Sequence, residues 1–375
     1  MADAPRVSYA PTEDQDLIRS TARQFLEENL PLDRVRELMV TAEGFDSVVW
    51  KEMADLGWTG LTIAEEFGGA GLTNVEMSVL VEEMGRLLTP GPFFASAVLA
   101  TSVIQETATP DQQAELLQML AAGERTATLA VFETPRDWST AGPGTTATRG
   151  GDGWVLEGRK RAVLSAGEAD TLLVTAATGD GVGVFAVDAG ADGVEISVEP
   201  VLDLTRHQGS VSLDTVQTTT RLGDGDSAEG LQRALAVARA MLACEQVGGA
   251  QRCMEMAVDY AKSRYQFGRP IGSYQAIKHR CANMLMKVEH AKSVAYHAVR
   301  VADDVDEARV AAPLAASVAS EAYVWVAGEN IQVHGGIGFT WEHDAHLYLK
   351  RAKSSSLLLG SPRFHRDRLG KAIGV

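Results

Sequence analysis

Two short segments in the last third of the chain combine cationic, amide and glycine residues at spacings that suit an anion site. The first runs Arg264-Tyr265-Gln266-Phe267-Gly268 and continues to Gln275, and the second is Gln332-Val333-His334-Gly335-Gly336-Ile337-Gly338. Glycines allow main-chain N–H groups to approach a phosphate closely, and Arg264 supplies a positive charge for it. Either segment alone is equally well explained as a helix end punctuated by glycine, so the prediction of a phosphate site depends on both together.

The elements that must position these residues follow from the periodicity of apolar side chains. Residues 1–124 predict helices, beginning at a capping box formed by Thr12 and Gln15. Residues 125–226 change to period two, with Val194, Ile196 and Val198 alternating with polar residues, and have no helix between their strands. Residues 227–375 return to long helical patterns, which indicates a bundle. The predicted order is therefore helices, an antiparallel sandwich or barrel, and helices again.

Composition excludes several classes of protein. The 375 residues carry a net charge of −16, which disfavours nucleic-acid binding because that function needs a basic stripe. No apolar run reaches the ~18 residues of a membrane span, and the first residues lack a secretory pattern. Three cysteines without a C-x-x-C pair predict buried thiols in a reducing cytoplasm. His343 and His346 lack further ligands at suitable spacing, so we expect no metal site.

The two segments, taken together, resemble the acyl-CoA dehydrogenase family of flavoproteins. The first matches an R-x-x-F-G…Q pattern and the second a Q-x-x-G-G-x-G pattern. Two further matches are the loop at 65–69, which reads Glu-Glu-Phe-Gly-Gly, and the Leu-Gly pair at 222–223. The resemblance implies an α+β fold with an N-terminal α-helical domain (1–124), a central antiparallel β-barrel (125–226) and a C-terminal four-helix bundle (227–375).

The resemblance also implies a function, which is the α,β-desaturation of an acyl-CoA thioester with FAD as the cofactor. Family members bind FAD at a subunit interface in a homo- or heterotetramer of homologous chains. A carboxylate removes the α-proton, a hydride leaves the β-carbon for the flavin, and electrons pass to an electron-transferring flavoprotein. By this resemblance Arg264, Phe267 and Gln275 reach the ADP part of a neighbouring subunit's FAD. The backbone of Gln332, Val333, His334, Gly335 and Gly336 contacts the same dinucleotide.

The catalytic base of the family is missing at both positions where its members carry it. Alignment places Leu359 at the C-terminal base position and Ala238 at the alternative one on the first bundle helix, and neither side chain accepts a proton. Glu245 lies two helical turns beyond Ala238 on nearly the same face. Glu245 is therefore either a relocated base or a buried structural acid between Arg239 and Arg252.

The residues expected to contact the flavin ring have also changed. Phe132 replaces a hydroxyl residue, Ala162 a tryptophan and Leu164 a threonine. Because the nucleotide-side motifs remain intact, an alternative to an active enzyme is a catalytically silent partner subunit that completes the FAD site of a heteromeric acyl-CoA dehydrogenase. Different flavin chemistry, such as an oxidase reaction, is a third possibility. A basic run of Lys350, Arg351 and Lys353 is most simply a solvated helix face, with a phosphate contact as its alternative.

Overall fold

The computed structural model describes residues 11–134 and 138–375, so most of the N-terminal segment used in the secretory prediction lies outside the described residues. The first zone is helical, as predicted, and Thr12 and Gln15 form the expected capping box. A π-helical segment, Phe94–Ala100, runs directly into the fifth helix. The helices are α1 (Glu13–Asn29), α2 (Leu32–Leu38), α3 (Ser47–Asp55), α4 (Asn74–Arg86), α5 (Thr101–Thr107) and α6 (Pro110–Ala121).

The second zone forms an eight-stranded sheet in which neighbouring strands follow the order β6-β7-β3-β2-β4-β5-β8, with β1 beside β4. Most pairings are antiparallel, as predicted, but β1 runs parallel to β4, and β2 meets β4 in a single parallel pair. The long connection that holds β2 and β3 allows β1 and β4 to run in the same direction. The strands are β1 (Ala127–Ala130), β2 (Thr146–Gly150), β3 (Gly153–Leu164), β4 (Thr171–Thr178), β5 (Gly181–Asp188), β6 (Val194–Val198), β7 (Gln208–Thr218) and β8 (Arg221–Leu222).

The third zone is organised around one long central helix, α7, which packs against α4, α8 and α9. Close approach to α4 requires glycine, because a Cβ at Gly248 would lie 1.9 Å from the carbonyl oxygen of Glu82. A two-stranded hairpin separates α7 from α8. The elements are α7 (Ala228–Ser263), β9 (Tyr265–Gln266), β10 (Arg269–Pro270), α8 (Gln275–Arg300), α9 (Val305–His334), α10 (Ala345–Ser355) and α11 (Pro362–Ile373).

The helices of the first and third zones share one apolar core, whereas the sheet has a second core of its own. Element type changes between Ala121 and Ala127 and again between Leu222 and Ala228. The domain limits at 124 and 226 stay predictions. The stretch Val305–Phe339 is long enough to cross a membrane, and a window of 18 residues within it has a mean hydropathy of 1.4. However, 67% of that window is buried within the fold, as in the core helix of a bundle.

Candidate functional site

The chain reverses direction directly after α7 in the β9–β10 hairpin, which carries the first of the two motifs. Phe267 and Gly268 form its turn with φ values of +53° and +78°, the type I′ geometry in which both central residues have positive φ. Glycine adopts this conformation freely, but the phenylalanine is strained by ~1–2 kcal/mol. Its ring is nevertheless 92% exposed. Arg264 and Gln275 are exposed too, and Arg264 makes no ion pair within the described residues.

The second motif is the turn that ends α9. Gly335 has φ +64°, and a Cβ at Gly335 or Gly336 would meet no atom within 4 Å, so the backbone of both residues is open to a ligand. Gln332 is exposed, whereas Val333 and His334 are buried and their side chains belong to the core. Val333 and His334 therefore offer a ligand only their main chain, which is the contact that the family resemblance implies.

The tertiary structure brings the two motifs to the same end of the bundle. The ring of Tyr260, one helical turn before Arg264, lies 4.3 Å from the ring of His334. Large apolar side chains around both motifs are exposed, and we call them the hairpin–turn surface: Tyr265, Phe267, Ile337, Phe339 and Trp341. Exposed aromatic residues clustered in this way mark an interaction surface.

The residues expected beside a flavin ring lie where β1 ends and along the second half of β3. Phe132 and Leu164 are buried, and the Arg161 N–H donates a hydrogen bond to the carbonyl of Phe132 at 2.7 Å. Ala162 sits in a β-bulge with φ +51°. No hydroxyl is therefore presented at the three substituted positions, whose side chains are phenylalanine, alanine and leucine.

A buried ion pair supports this strand end. The Nζ of Lys160, which is fully buried, lies 2.6 Å from Oε1 of Glu133. Burial opposes ionisation of Glu133, but Lys160 and the amide of Thr145 together lower the pKa of that carboxyl to about 2. Glu133 is thus held as an anion by the protein itself and has a structural role at this position.

Ala238 and Leu359, which the alignment predicts at the two base positions of the family, are connected through Arg239. Its Nε donates to the carbonyl of Leu359 at 3.1 Å, and Ala238 precedes it on α7. Arg239 is only 2% exposed, and its Nη2 has no hydrogen-bond partner among the described residues. Burial, together with the charge of Arg368, lowers the pKa of Arg239 to about 9. Beside the two positions where the alignment predicts a base, the structure thus has a buried arginine without a counter-charge among the described residues.

Glu245 lies in a different environment, at the centre of a buried ion-pair network. Arg206 contacts both of its carboxylate oxygens, and Arg351 Nη1 lies 2.9 Å from Oε1. Arg351 also pairs with Asp203 at 2.8 Å, and burial of its guanidinium is outweighed by these carboxylates, which raise the pKa of Arg351. The cavity beside Glu245 measures about 20 Å³, which is room for a single water molecule. This geometry favours the interpretation of Glu245 as a buried structural acid over its interpretation as a relocated base.

Two sequence-based expectations about this network are wrong. Glu245 does not pair with Arg239 or Arg252, since Arg239 bonds to a carbonyl and Arg252 lies beside Glu255 at 3.8 Å. Arg351 is 2% exposed and does not belong to a solvated helix face. The helical spacing of the sequence could have predicted this burial, because Arg351 lies on the same face of α10 as Leu347 and Tyr348, which are also buried.

A cavity of about 720 Å³ lies between α7, α9 and α11, and we call it the α7–α11 cavity. Apolar side chains such as Ala236, Ala312 and Phe364 form part of its wall. Its charged lining consists of the cations Arg233, Arg239, Arg309, Arg368 and Lys371 and the carboxylates Glu106, Glu229 and Asp303. Cations outnumber carboxylates here, against the sign of the chain's net charge.

Comparison with known proteins agrees with this geometry. Residues 12–124 match the family model described as acyl-CoA dehydrogenase, N-terminal domain, and residues 229–374 match the C-terminal domain model. Acyl-CoA dehydrogenase IpdE2 of Mycolicibacterium smegmatis is 33% identical over 359 residues, which cover 96% of this chain and 98% of the relative.

Solved structures give the same result. A variant of the Tcur3481–Tcur3483 steroid ACAD superposes with a TM-score of 0.88 at 34% identity, covering 96% of this chain and 98% of the other. The ChsE4–ChsE5 complex from Mycobacterium tuberculosis superposes with a TM-score of 0.89 at 28% identity, covering 98% of this chain and 99% of the other. The two family models and the near full-length match at 33% identity agree with the fold and the two motifs, and the chain is a member of the acyl-CoA dehydrogenase family of FAD-dependent oxidoreductases.

Proposed function

We propose that this chain is the partner subunit of a heteromeric acyl-CoA dehydrogenase and completes the FAD site of a homologous catalytic subunit. The proposal rests on a contrast between the nucleotide-side motifs of this chain and the positions that align with the family's catalytic base. On the nucleotide side, Arg264 and the turn at Gly335 and Gly336 are exposed, and Arg264 makes no ion pair among the described residues. The two positions aligned with the family's base, in contrast, hold Ala238 and Leu359. Two of its structural relatives, the Tcur3481–Tcur3483 protein and the ChsE4–ChsE5 complex, are named for two chains each, which supports a heteromeric assembly.

The residues of the first motif and the glycine turn fit the diphosphate part of FAD. The exposed guanidinium of Arg264 has no ion pair in the part of the chain that the structure describes and can bind a phosphate oxygen. The open backbone at Gly335 and Gly336 allows close main-chain approach. Gln275 supplies an amide, and the exposed Phe267 supplies an apolar contact to the neighbouring subunit. When bound, FAD accepts the hydride that leaves the β-carbon of the acyl group.

The α-proton is removed in the homologous subunit, because this chain presents no carboxylate at either base position. Glu245 stabilises the packing of α7 against α10 and the sheet domain, with its charge balanced by Arg206 and Arg351. An electron-transferring flavoprotein then receives the electrons from the assembly.

The α7–α11 cavity is the candidate site for an acyl-CoA held by this chain itself, in addition to the acyl-CoA that reacts in the homologous subunit. Its volume lies within the ~300–1,000 Å³ typical of ligand pockets, and its excess of cations favours a phosphate-bearing molecule.

We also propose that the protein is cytoplasmic, since thiols such as the buried Cys244 and Cys253 stay reduced in that compartment. Cell fractionation tests this location.

Flavin stoichiometry tests the proposal. The chain is purified alone with added FAD, and again after co-expression with a homologous acyl-CoA dehydrogenase subunit, and bound flavin is measured by absorbance near 450 nm and by mass. We expect a colourless chain alone and one FAD for every two chains in the complex. A homotetramer with one FAD per chain, in which Glu245→Gln abolishes acyl-CoA turnover without lowering stability, contradicts the partner-subunit role.

A further inference from the structure

We propose that Arg239 and Arg368, at the inner end of the α7–α11 cavity, form a receptor for a carboxylate, and that the ligand of this chain is an acyl-CoA whose acyl part ends in a free carboxylate. The inference rests on the proposed function in one respect, which is that an acyl-CoA enters this cavity. It goes beyond that function by naming a class of acyl group.

The charge balance of the cavity supports an anionic ligand. Arg233 is neutralised by two carboxylates, with Nε 2.5 Å from Glu106 and Nη1 2.9 Å from Glu229. The other four cations of the lining, including Arg239 and Arg368, then face only Asp303. Neither Arg239 nor Arg368 forms an ion pair anywhere in residues 11–134 and 138–375. Because buried charges are normally paired, this excess indicates a counter-ion that the protein does not itself supply.

The cations lie at two depths in the cavity, so the exposed ones and the buried ones can bind two different anionic groups of one ligand. Arg309 and Lys371 are exposed and therefore lie at the mouth of the cavity, where they suit the strongly hydrated phosphates of CoA. Arg239 is 2% exposed and Arg368 is half-buried, so they lie deeper. A deep arginine pair suits a planar carboxylate, because the weakly hydrated guanidinium binds it through two parallel N–H···O bonds.

Donor groups remain available on both arginines. Arg239 uses Nε on the carbonyl of Leu359, and its Nη2 has no partner among the residues described. Arg368 Nη2 donates to the amide oxygen of Gln232 at 2.9 Å, which orients the guanidinium without neutralising it. The remaining N–H groups of the pair are free to bind the two oxygens of a carboxylate.

The position of the pair relates it to the chemistry that this chain has lost. Arg239 contacts Leu359 and follows Ala238, which are the two places where a catalytic carboxylate is absent. A protein carboxylate at either place would neutralise Arg239. In this chain the ligand supplies the negative charge instead, and the acyl end of an acyl-CoA is the part that reaches the base positions.

Binding of matched thioesters tests the inference on the full chain. Succinyl-CoA and butyryl-CoA have the same number of acyl carbons and differ by one carboxylate, and CoA and free succinate complete the set. Affinity is measured by calorimetry and by intrinsic tryptophan fluorescence, to which Trp138 in the lining of the cavity contributes. We expect succinyl-CoA to bind about 10-fold more tightly than butyryl-CoA, which corresponds to one hydrogen-bonded charge.

Variants assign the preference to the arginine pair. Arg239→Gln and, separately, Arg368→Gln should reduce the preference to less than about 2-fold, and Arg239→Lys should restore part of it. Arg363→Gln, at an exposed residue of α11 outside the cavity, is the control and should retain it. Thermal unfolding identifies any misfolded variant, and the less buried Arg368→Gln keeps the test valid if Arg239→Gln does not fold.

The possible failures are distinguishable. Equal binding of succinyl-CoA and butyryl-CoA to the unaltered chain, or a preference that survives in both glutamine variants, overturns the carboxylate receptor and leaves the partner-subunit role intact. No binding of CoA or of either thioester overturns the receptor and also counts against an acyl-CoA site in this chain. If succinate binds and neither thioester does, the assignment of the ligand to an acyl-CoA is overturned.

Discussion

Glu245 on α7 accepts a hydrogen bond from Arg351 on α10, with Nη1 2.9 Å from Oε1, although the two residues are 106 positions apart in the chain. Both side chains are buried, and Arg206 from the connection between β6 and β7 contacts the same carboxylate. One side chain thus joins the central helix, a C-terminal helix and the sheet domain. We infer that its main role is to hold these three parts together.

Glu245→Gln should therefore lower the free energy of unfolding by about 3 kcal/mol or more, because the change leaves two buried guanidinium groups without their shared counter-charge. Urea unfolding followed by circular dichroism measures the loss. Glu229→Gln is the matched control, since Glu229 is 81% exposed in its ion pair and its removal should cost under about 0.5 kcal/mol. Unchanged stability combined with loss of acyl-CoA turnover would instead identify Glu245 as the relocated base.

Phe267→Asn should raise the stability of the isolated chain and weaken its assembly. Asparagine tolerates the positive φ at this turn, so the change relieves about 1 kcal/mol of strain. The lost ring is 92% exposed in the single chain and so contributes little to its core. Thermal unfolding of the chain alone and gel filtration with the homologous subunit measure the two effects. A destabilised monomer with unaltered assembly would contradict a role for Phe267 at a subunit interface.

His365 should make the protein sensitive to mild acid. Burial, and then the charge of Arg239, lower the pKa of His365 to about 3, against an ordinary value of 6.5. Between these two values the unfolded chain takes up a proton that the folded chain refuses. The free energy of unfolding is therefore fully retained above pH 6.5 and falls as the pH decreases towards 3.

His365→Gln should remove this part of the pH dependence. Relative to the unaltered chain, the loss of unfolding free energy between pH 7.5 and 5 should be smaller by about 2 kcal/mol, as given by urea midpoints at the two pH values. Because each variant is compared with itself at the two pH values, a change in its stability that does not depend on pH does not affect this difference in unfolding free energy. His290→Gln, on an exposed part of α8, should leave the pH dependence as it was, and an identical dependence in both variants would exclude His365 as its source.

Arg264→Gln should weaken FAD binding by the co-purified complex about 10-fold, because it removes a charged donor to a phosphate. A fluorescence titration of the flavin-free complex measures the dissociation constant. Lys262→Gln provides the control, since Lys262 is exposed nearby but lies outside the motif. Equal FAD affinity in the two variants would separate Arg264 from the nucleotide site.

Local patterns in the sequence were sufficient to predict much of the fold and the identity of the two motifs. The capping box of Thr12 and Gln15, the alternation along the strands and the long helical periods depend on spacings of a few residues, which the backbone geometry of each element dictates. The motif patterns around Arg264 and Gly335 are local as well. The family match supports these local predictions, although the roles of the individual site residues stay predictions.

Only the tertiary structure decided which charges meet. The sequence placed Glu245 between arginines of its own helix, but its partners come from the sheet domain and from α10, because helical periodicity specifies which face of a helix is buried and not what packs against it. The same limit applies to the contact of Arg239 with Leu359 and to the cavity that Arg239 shares with Arg368. Contacts between residues more than 100 positions apart depend on how the chain closes its long loops, and no short-range pattern records that choice.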